Sequence, residues 1–265
     1  MDNTKEYAWE VVQFNGIEPA VKDDEIASEW PLTIILNGDE FATMVCSPTD
    51  LQDLLIGFLA AEGIIRFHDE ITHLSIDDYK GFAYVTLNKT LDDNRDDHSK
   101  RFIGSCCGKS RQFYFKSDAK TAKTVYSRLS VSVEQCYALM GELQQQSEQF
   151  MRTGGVHNAA LAEPDGLLTI RTDIGRHNAL DKIYGHILRQ RLPVKNKLIV
   201  FSGRLSSEVL LKISKIGAGI VLSKSAPTDL ALRLANDLHI TVIGFARGSK
   251  MNVYTHPYRI KEAKM

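Results

Sequence analysis

Three short apolar runs separated by helix-length segments constrain this chain more than any other feature. The runs are Leu198 to Ser202, Gly219 to Leu222 and Ile240 to Phe245. Between the first two, Ser206 and Ser207 can cap a helix carrying Val209, Leu210, Ile213 and Ile216, and Gly217 can end it. Pro227-Thr228-Asp229 opens a second helix through Leu230, Leu234 and Leu238. A further strand and helix, Leu167 to Arg171 and Asn178 to Arg189, come before them. Strands alternating with helices at this spacing require right-handed crossovers and a parallel sheet, so the expected fold class is α/β.

An open parallel sheet binds ligands beyond the carboxyl ends of its strands. In this chain those ends read Asp173-Ile174-Gly175-Arg176-His177-Asn178, Ser202-Gly203-Arg204, Ser223-Lys224-Ser225 and Phe245-Ala246-Arg247-Gly248-Ser249-Lys250. Each combines a cation with Gly or Ser. Backbone N–H groups, hydroxyls and guanidinium groups converging there suit phosphate or pyrophosphate, which Arg grips bidentately and Lys meets as a point charge. Small residues at such turns also serve turn geometry alone. There is no Walker-A spacing, and Gly217-Ala218-Gly219 precedes a strand instead of following one. His157 and His177 follow glycine-containing turns and fall near the same edge. Either is also satisfied as a structural histidine with two hydrogen-bond partners.

The first 130 residues read as a smaller mixed α+β part, and residues 131–265 as the α/β domain with the ligand edge. Leu32 to Phe41 spells a strand, a turn on Asn37-Gly38-Asp39 and a return strand. Ser47-Pro48-Thr49-Asp50 opens a helix whose Leu51, Leu54, Leu55, Phe58 and Leu59 form one apolar stripe. Gly81 to Leu87 reads as another strand, and Val133 to Phe150 as a helix. Residues 88–112 form a loop, with Asp92-Asp93-Asn94-Arg95-Asp96-Asp97-His98 almost wholly charged.

That loop carries Gly104-Ser105-Cys106-Cys107-Gly108-Lys109-Ser110, two adjacent thiols among small residues. Lys100, Arg101, Lys109 and Arg111 surround them. Nearby positive charge lowers a thiol pKa and favours the nucleophilic thiolate, so Cys106 and Cys107 are the candidates for sulfur chemistry. Cys46 and Cys136 lie in apolar or helical contexts and read as small buried hydrophobes. A zinc ribbon needs two spaced cysteine pairs, and this chain has one adjacent pair, so no zinc is expected.

A net charge of −1 gives no basic field for nucleic acid. No apolar run reaches the ~20 residues of a membrane span. The polar start, Met1 to Glu10, has no signal-peptide core, and a cytoplasmic protein without a disulfide framework is expected.

Longer motifs carry a family resemblance. Thr153-Gly154-Gly155-Val156-His157-Asn158-Ala159-Ala160, Asp173-Ile174-Gly175-Arg176-His177-Asn178-Ala179-Leu180-Asp181-Lys182, Ser202-Gly203-Arg204, and Gly244-Phe245-Ala246-Arg247 with Tyr254-Thr255-His256-Pro257 resemble the FdhD/NarQ family. The resemblance runs from about Leu32 to the end of the chain. It implies a cytidine deaminase-like three-layer α/β/α domain, a cytoplasmic homodimer and a sulfurtransferase serving formate dehydrogenase. Sulfur would come from a cysteine desulfurase, reside on a cysteine persulfide, and pass to the molybdenum bis(molybdopterin guanine dinucleotide) cofactor. The resemblance puts the guanine dinucleotide near Phe245, Ala246, Arg247, Gly248, Ser249 and Lys250. Many members carry Cys-x-x-Cys where this chain has Cys106-Cys107, so either thiol could take the persulfide. The alternatives are a carrier of the cofactor without sulfur chemistry, and a thiol-disulfide oxidoreductase. The likeness to deaminases concerns fold only, because the Pro-Cys-x-x-Cys of their zinc site is absent.

Overall fold

The structure, a computed structural model, describes residues 7–90, 101–103 and 122–263. Strands β1 (Tyr7–Asn15) and β2 (Glu18–Ile26) form a separate two-stranded antiparallel ribbon. Next come β3 (Trp30–Leu36) and β4 (Asp39–Cys46), joined by the predicted tight turn. Asn37 and Gly38 both have positive φ, 52° and 96°, as a two-residue hairpin turn that follows the sheet's twist requires. Helix α1 (Leu51–Ala61), β5 (Ile71–Asp77), β6 (Phe82–Leu87) and β7 (Arg101–Ile103) complete this part. Its five strands lie in the order β5-β6-β3-β4-β7.

Two expectations need correction here. Residues 101–103 are not loop but a strand, paired in parallel with β4 so that Ile103 lies opposite Met44. Three residues are too few for a readable period, and the pairing is supplied by the otherwise open edge of β4. The charged run 92–98 and the pair Cys106 and Cys107 lie outside the described residues. Helix α1 does not present a single stripe either, since every residue from Asp53 to Ala61 is buried.

The reason is a second helix. The remaining chain forms α2 (Val133–Gln145), α3 (Glu148–Thr153), β8 (His157–Glu163), β9 (Gly166–Asp173) and α4 (Arg176–Gln190). It continues through β10 (Leu198–Phe201), α5 (Ser207–Ile216), β11 (Ile220–Ser223), α6 (Asp229–Asp237), β12 (Thr241–Arg247) and β13 (Lys250–Val253). The predicted helix 133–150 breaks into two at Gln146-Ser147. Strands β10, β11 and β12 are parallel, as the alternating pattern demands, within the sheet order β13-β12-β11-β10-β8-β9. Ser206 and Thr228 cap α5 and α6 by accepting from Val209 N and Ala231 N, and Gly217 ends α5 at φ 92°.

Alternate residues of this sheet serve two cores. Ile199, Phe201, Val221 and Val242 face Leu180, Ile183, Val209, Ile213 and Ala231 of α4, α5 and α6. Leu198, Val200, Ile220, Leu222 and Ile243 face Cys136, Leu139, Met140 and Leu143 of α2. The result is three layers, helix on sheet on helix. On its far side α4 packs against α1, which in turn covers the five-stranded sheet. Gly57 and Gly185 make that helix crossing possible. A Cβ on Gly57 would stand 1.8 Å from the Asp181 carbonyl oxygen, and one on Gly185 would stand 1.8 Å from that of Asp53.

Candidate functional site

The strand ends named from the sequence gather at one edge, by a route the alternating pattern does not show. Strand β9 joins the sheet through β8, antiparallel to both β9 and β10, and two reversals leave β9 running with β10. The carboxyl ends of β9, β10, β11 and β12 therefore share one rim with the start of β8. Sequence reading missed β8 as a strand, because His157-Asn158-Ala159-Ala160-Leu161-Ala162 lacks β-branched residues and, buried on both faces, shows no alternation.

Hydroxyls stitch the rim together. Ser202 Oγ accepts from Asn158 N at 2.9 Å, and Asn158 Oδ1 accepts from Thr172 Oγ1 at 2.6 Å. Ser223 Oγ donates to Gly203 O at 2.9 Å and accepts from Ser225 N, while Ser225 Oγ donates to Ser202 O at 3.0 Å. These bonds use the small polar residues in turn geometry. The cations project outward: Arg204 is exposed and Lys224 half-buried.

The β12–β13 hairpin leans over the same rim. Arg247 Nε donates to Lys224 O at 2.9 Å, and Tyr137 Oη donates to Ser249 O at 2.8 Å. A register shift between Gly244 and Arg247 puts Ala246, not Phe245, into the core beneath α2. Phe245 adopts φ 53°, a conformation costly for a bulky residue, and its ring is 42% exposed. Phe245, Arg247, Gly248, Ser249 and Lys250 thus form an exposed tip, with Ala246 anchored behind it; any contact from Ala246 would come from its backbone.

His157 and His177 both sit at the rim's β9 side, half-buried. Burial, then the Arg176 charge, holds His157 below its ordinary 6.5. Burial also lowers His177, outweighing the opposing effect of Glu208, whose Oε2 lies 3.1 Å from His177 Nε2.

Beside them the two halves of the molecule are riveted. Asp173 Oδ2 accepts from Ser47 N at 3.0 Å, and Ser47 Oγ accepts from Ile174 N at 3.0 Å. Asn178 Nδ2 donates to both Val45 O and Asp173 Oδ1 at 2.9 Å. Lys182 Nζ reaches Asp173 Oδ2 at 2.8 Å and Thr172 O at 2.9 Å. The carboxyl end of β4 is thereby fixed to the carboxyl end of β9. Strand β7 runs parallel to β4, and its last residue, Ile103, lies opposite Met44, two residues before the end of β4.

The other two cysteines sit where the thiolate is disfavoured. Burial, helped by the Asp173 charge, pushes the Cys46 thiol up to about 12. Burial, helped by Glu262, does the same to Cys136. Both are free and buried, as their sequence contexts suggest. His68-Asp69-Glu70 has the His-x-Glu spacing of zinc deaminases, but it forms a single surface turn. There the Glu70 carboxylate accepts from Arg66 N and Phe67 N. Among the described residues no three His, Cys, Asp or Glu side chains are grouped to hold a metal ion, and no helix is long and apolar enough to cross a membrane.

Comparison with known proteins agrees with the motifs. The FdhD/NarQ family model matches residues 27–261. The chain is 59% identical over 242 residues to the sulfur carrier protein FdhD of Bacillus subtilis, covering 91% of this chain and 92% of that one. It is 55% identical over 266 residues to the protein of the same name from Halalkalibacterium halodurans, covering 100% and 98%. A crystal structure provisionally assigned as a formate dehydrogenase accessory protein from Desulfotalea psychrophila superposes with a TM-score of 0.78 at 25% identity, over 96% of this chain and 99% of that one.

Proposed function

The chain belongs to the FdhD/NarQ family, and from that premise we propose that it is a cytoplasmic sulfur carrier. It accepts a sulfane sulfur from a cysteine desulfurase and delivers it to the molybdenum bis(molybdopterin guanine dinucleotide) cofactor destined for formate dehydrogenase. Here the cofactor is the substrate.

The thiolate of Cys106 or Cys107 attacks the outer sulfur of the desulfurase persulfide. A new S–S bond forms on the carrier, the old one breaks, and the desulfurase leaves as a thiolate, with no net oxidation. Elimination supports this choice of residues, since burial keeps Cys46 and Cys136 protonated at neutral pH. Lys100, Arg101, Lys109 and Arg111 are the cations near the pair in sequence.

Arg247 and Lys250, with Arg204 and Lys224 beside them, would neutralise the pyrophosphates of the cofactor. The outward-turned Phe245 ring offers a stacking face for guanine, a use that accounts for keeping a bulky residue at φ 53°.

One observation carries the reading: the joint from Ser47 to Asp173. It fixes the strand end beside which β7 runs to the start of the cationic rim. The reading requires that Cys106 and Cys107, which follow Ile103 by three and four positions in sequence, bring their sulfur to that rim.

The test is mass spectrometry after incubation with a cysteine desulfurase and isotope-labelled cysteine. A gain of one labelled sulfur, lost in the Cys106→Ala/Cys107→Ala variant, supports the proposal. No gain on the wild-type chain points to a cofactor carrier without sulfur chemistry. Loss of two hydrogens alone points to a thiol-disulfide oxidoreductase.

A further inference from the structure

If the chain carries sulfur as proposed above, its cargo is a sulfane atom, the outer sulfur of a persulfide. A sulfide ligand on a metal is two electrons more reduced. Delivery therefore consumes an electron pair, and thiols are the groups of a protein that give one up readily.

The fold withdraws two of the four cysteines from that task. Cys46 is wholly buried in the core between α1 and the five-stranded sheet, where its Sγ donates to Trp30 O at 3.6 Å. Cys136 is wholly buried in a different core, between α2 and the six-stranded sheet. A disulfide needs its two Cα atoms within about 7 Å. Neither thiol can meet a persulfide on another residue unless a core opens. Cys106 and Cys107 remain, adjacent in sequence. Holding one sulfane atom takes one thiol, and the second has a use if it supplies the electrons.

We infer that the second thiol of this pair releases the cargo, and that a dithiol reductant must then restore the carrier. With the persulfide on either Cys106 or Cys107, the thiolate of the other attacks its inner sulfur. The Cys106–Cys107 bond forms, the S–S bond of the persulfide breaks, and the outer sulfur leaves as hydrosulfide with the electron pair. The two cysteine sulfurs together lose two electrons, and the sulfane sulfur gains them. Exchange of the hydrosulfide for an oxygen ligand of the metal releases hydroxide and moves no further electrons. A disulfide between chain neighbours closes a small, strained ring, and strained disulfides are readily reduced. The reaction that consumes it is dithiol–disulfide exchange: the incoming dithiol is oxidised, and both cysteines return as thiols.

The test starts from the full chain loaded with labelled sulfur by a cysteine desulfurase, then freed of that enzyme and of small thiols. It is presented with the oxygen-ligated molybdenum cofactor, and its mass and its alkylation without denaturant are followed. Four cysteines less the two buried ones leave two that alkylate in the reduced chain. After delivery that count should fall to zero, with a mass two hydrogens below the reduced chain, in step with the sulfur transferred. Added dithiothreitol should restore both thiols and permit a second round. Of Cys106→Ser and Cys107→Ser, whichever still loads should hold its sulfur until an external thiol is added. Delivery that leaves two free thiols overturns the inference, because the metal has then supplied the electrons. A single variant that delivers as fast as the wild type overturns it too. A wild-type chain that never gains labelled sulfur overturns the carrier reading itself, and this inference with it.

Discussion

Lys182 Nζ and Asp173 Oδ2 lie 2.8 Å apart, and both side chains are wholly buried. Breaking such a pair leaves one uncompensated buried charge, which costs about 3–5 kcal/mol, whereas removing both partners costs much less. Lys182→Met should therefore lower the melting temperature markedly, and Lys182→Met/Asp173→Asn should recover part of the loss. Thermal denaturation of the three chains checks this. A single variant as stable as the wild type would show that the junction of the two sheets does not depend on the pair.

The Gly57–Gly185 crossing gives a sharper expectation. An added methyl at either position meets a carbonyl oxygen of the facing helix at 1.8 Å, and backbone cannot yield as a side-chain tip can. Gly57→Ala or Gly185→Ala should fail to give soluble protein or melt far below the wild type. Gly141, inside α2 with no atom within 4 Å of its would-be Cβ, is the control. Gly141→Ala should stabilise by about 0.5–1 kcal/mol through helix propensity alone. Soluble expression and melting temperature separate the two cases.

The same helix pair marks the limit of what the sequence made legible. Capped and terminated helices such as Ser206 to Gly217, and the Asn37-Gly38 turn, are local signals and could be read directly. So could the rim cations, because a parallel sheet fixes which strand ends gather. Packing between α1 and α4 is not local: Gly57 in one helix and Gly185 in the other acquire meaning only once the two cross. Strand β7 has the same problem, with three residues whose partner lies far back in the chain. The joint from Ser47 to Asp173 spans more than a hundred positions, so no spacing rule announces it. The positive φ of Phe245 was equally hidden, since a register shift and not the residue type turns the ring outward.

Acid sensitivity follows from the histidines. His157, His177 and His186 all titrate below the ordinary 6.5, with burial the largest cause for each. For a base with a lowered folded value, the unfolded chain takes up protons first as pH falls through 6.5. Stability is therefore fully present above that pH and is lost progressively below it. Melting temperature measured from pH 7.5 down to about 5.5 should fall, and His177→Gln should flatten the slope. A profile rising toward acid would contradict the burial of these rings.

The rim cations should be separable from the thiols. Arg247 spends its Nε on Lys224 O, which leaves its two terminal nitrogens for an anion. A hydrogen bond to a charged group is worth about 1.5–3 kcal/mol, or roughly tenfold to a hundredfold in affinity. Arg247→Ala and Lys250→Ala should each weaken binding of guanosine diphosphate by about that factor, measured by titration calorimetry at fixed salt. The slope of affinity against salt should flatten in both variants, because each removes one screened charge contact. Phe245→Ala should weaken binding at every salt concentration without changing the slope, since stacking carries no net charge. In all three variants the labelled-sulfur gain should persist, because the proposed loading of Cys106 or Cys107 calls for no nucleotide. Simultaneous loss of nucleotide binding and sulfur uptake in Arg247→Ala would mean that rim and thiols form one indivisible site. That outcome would rule out the two-step sequence in which sulfur is loaded first and delivered second.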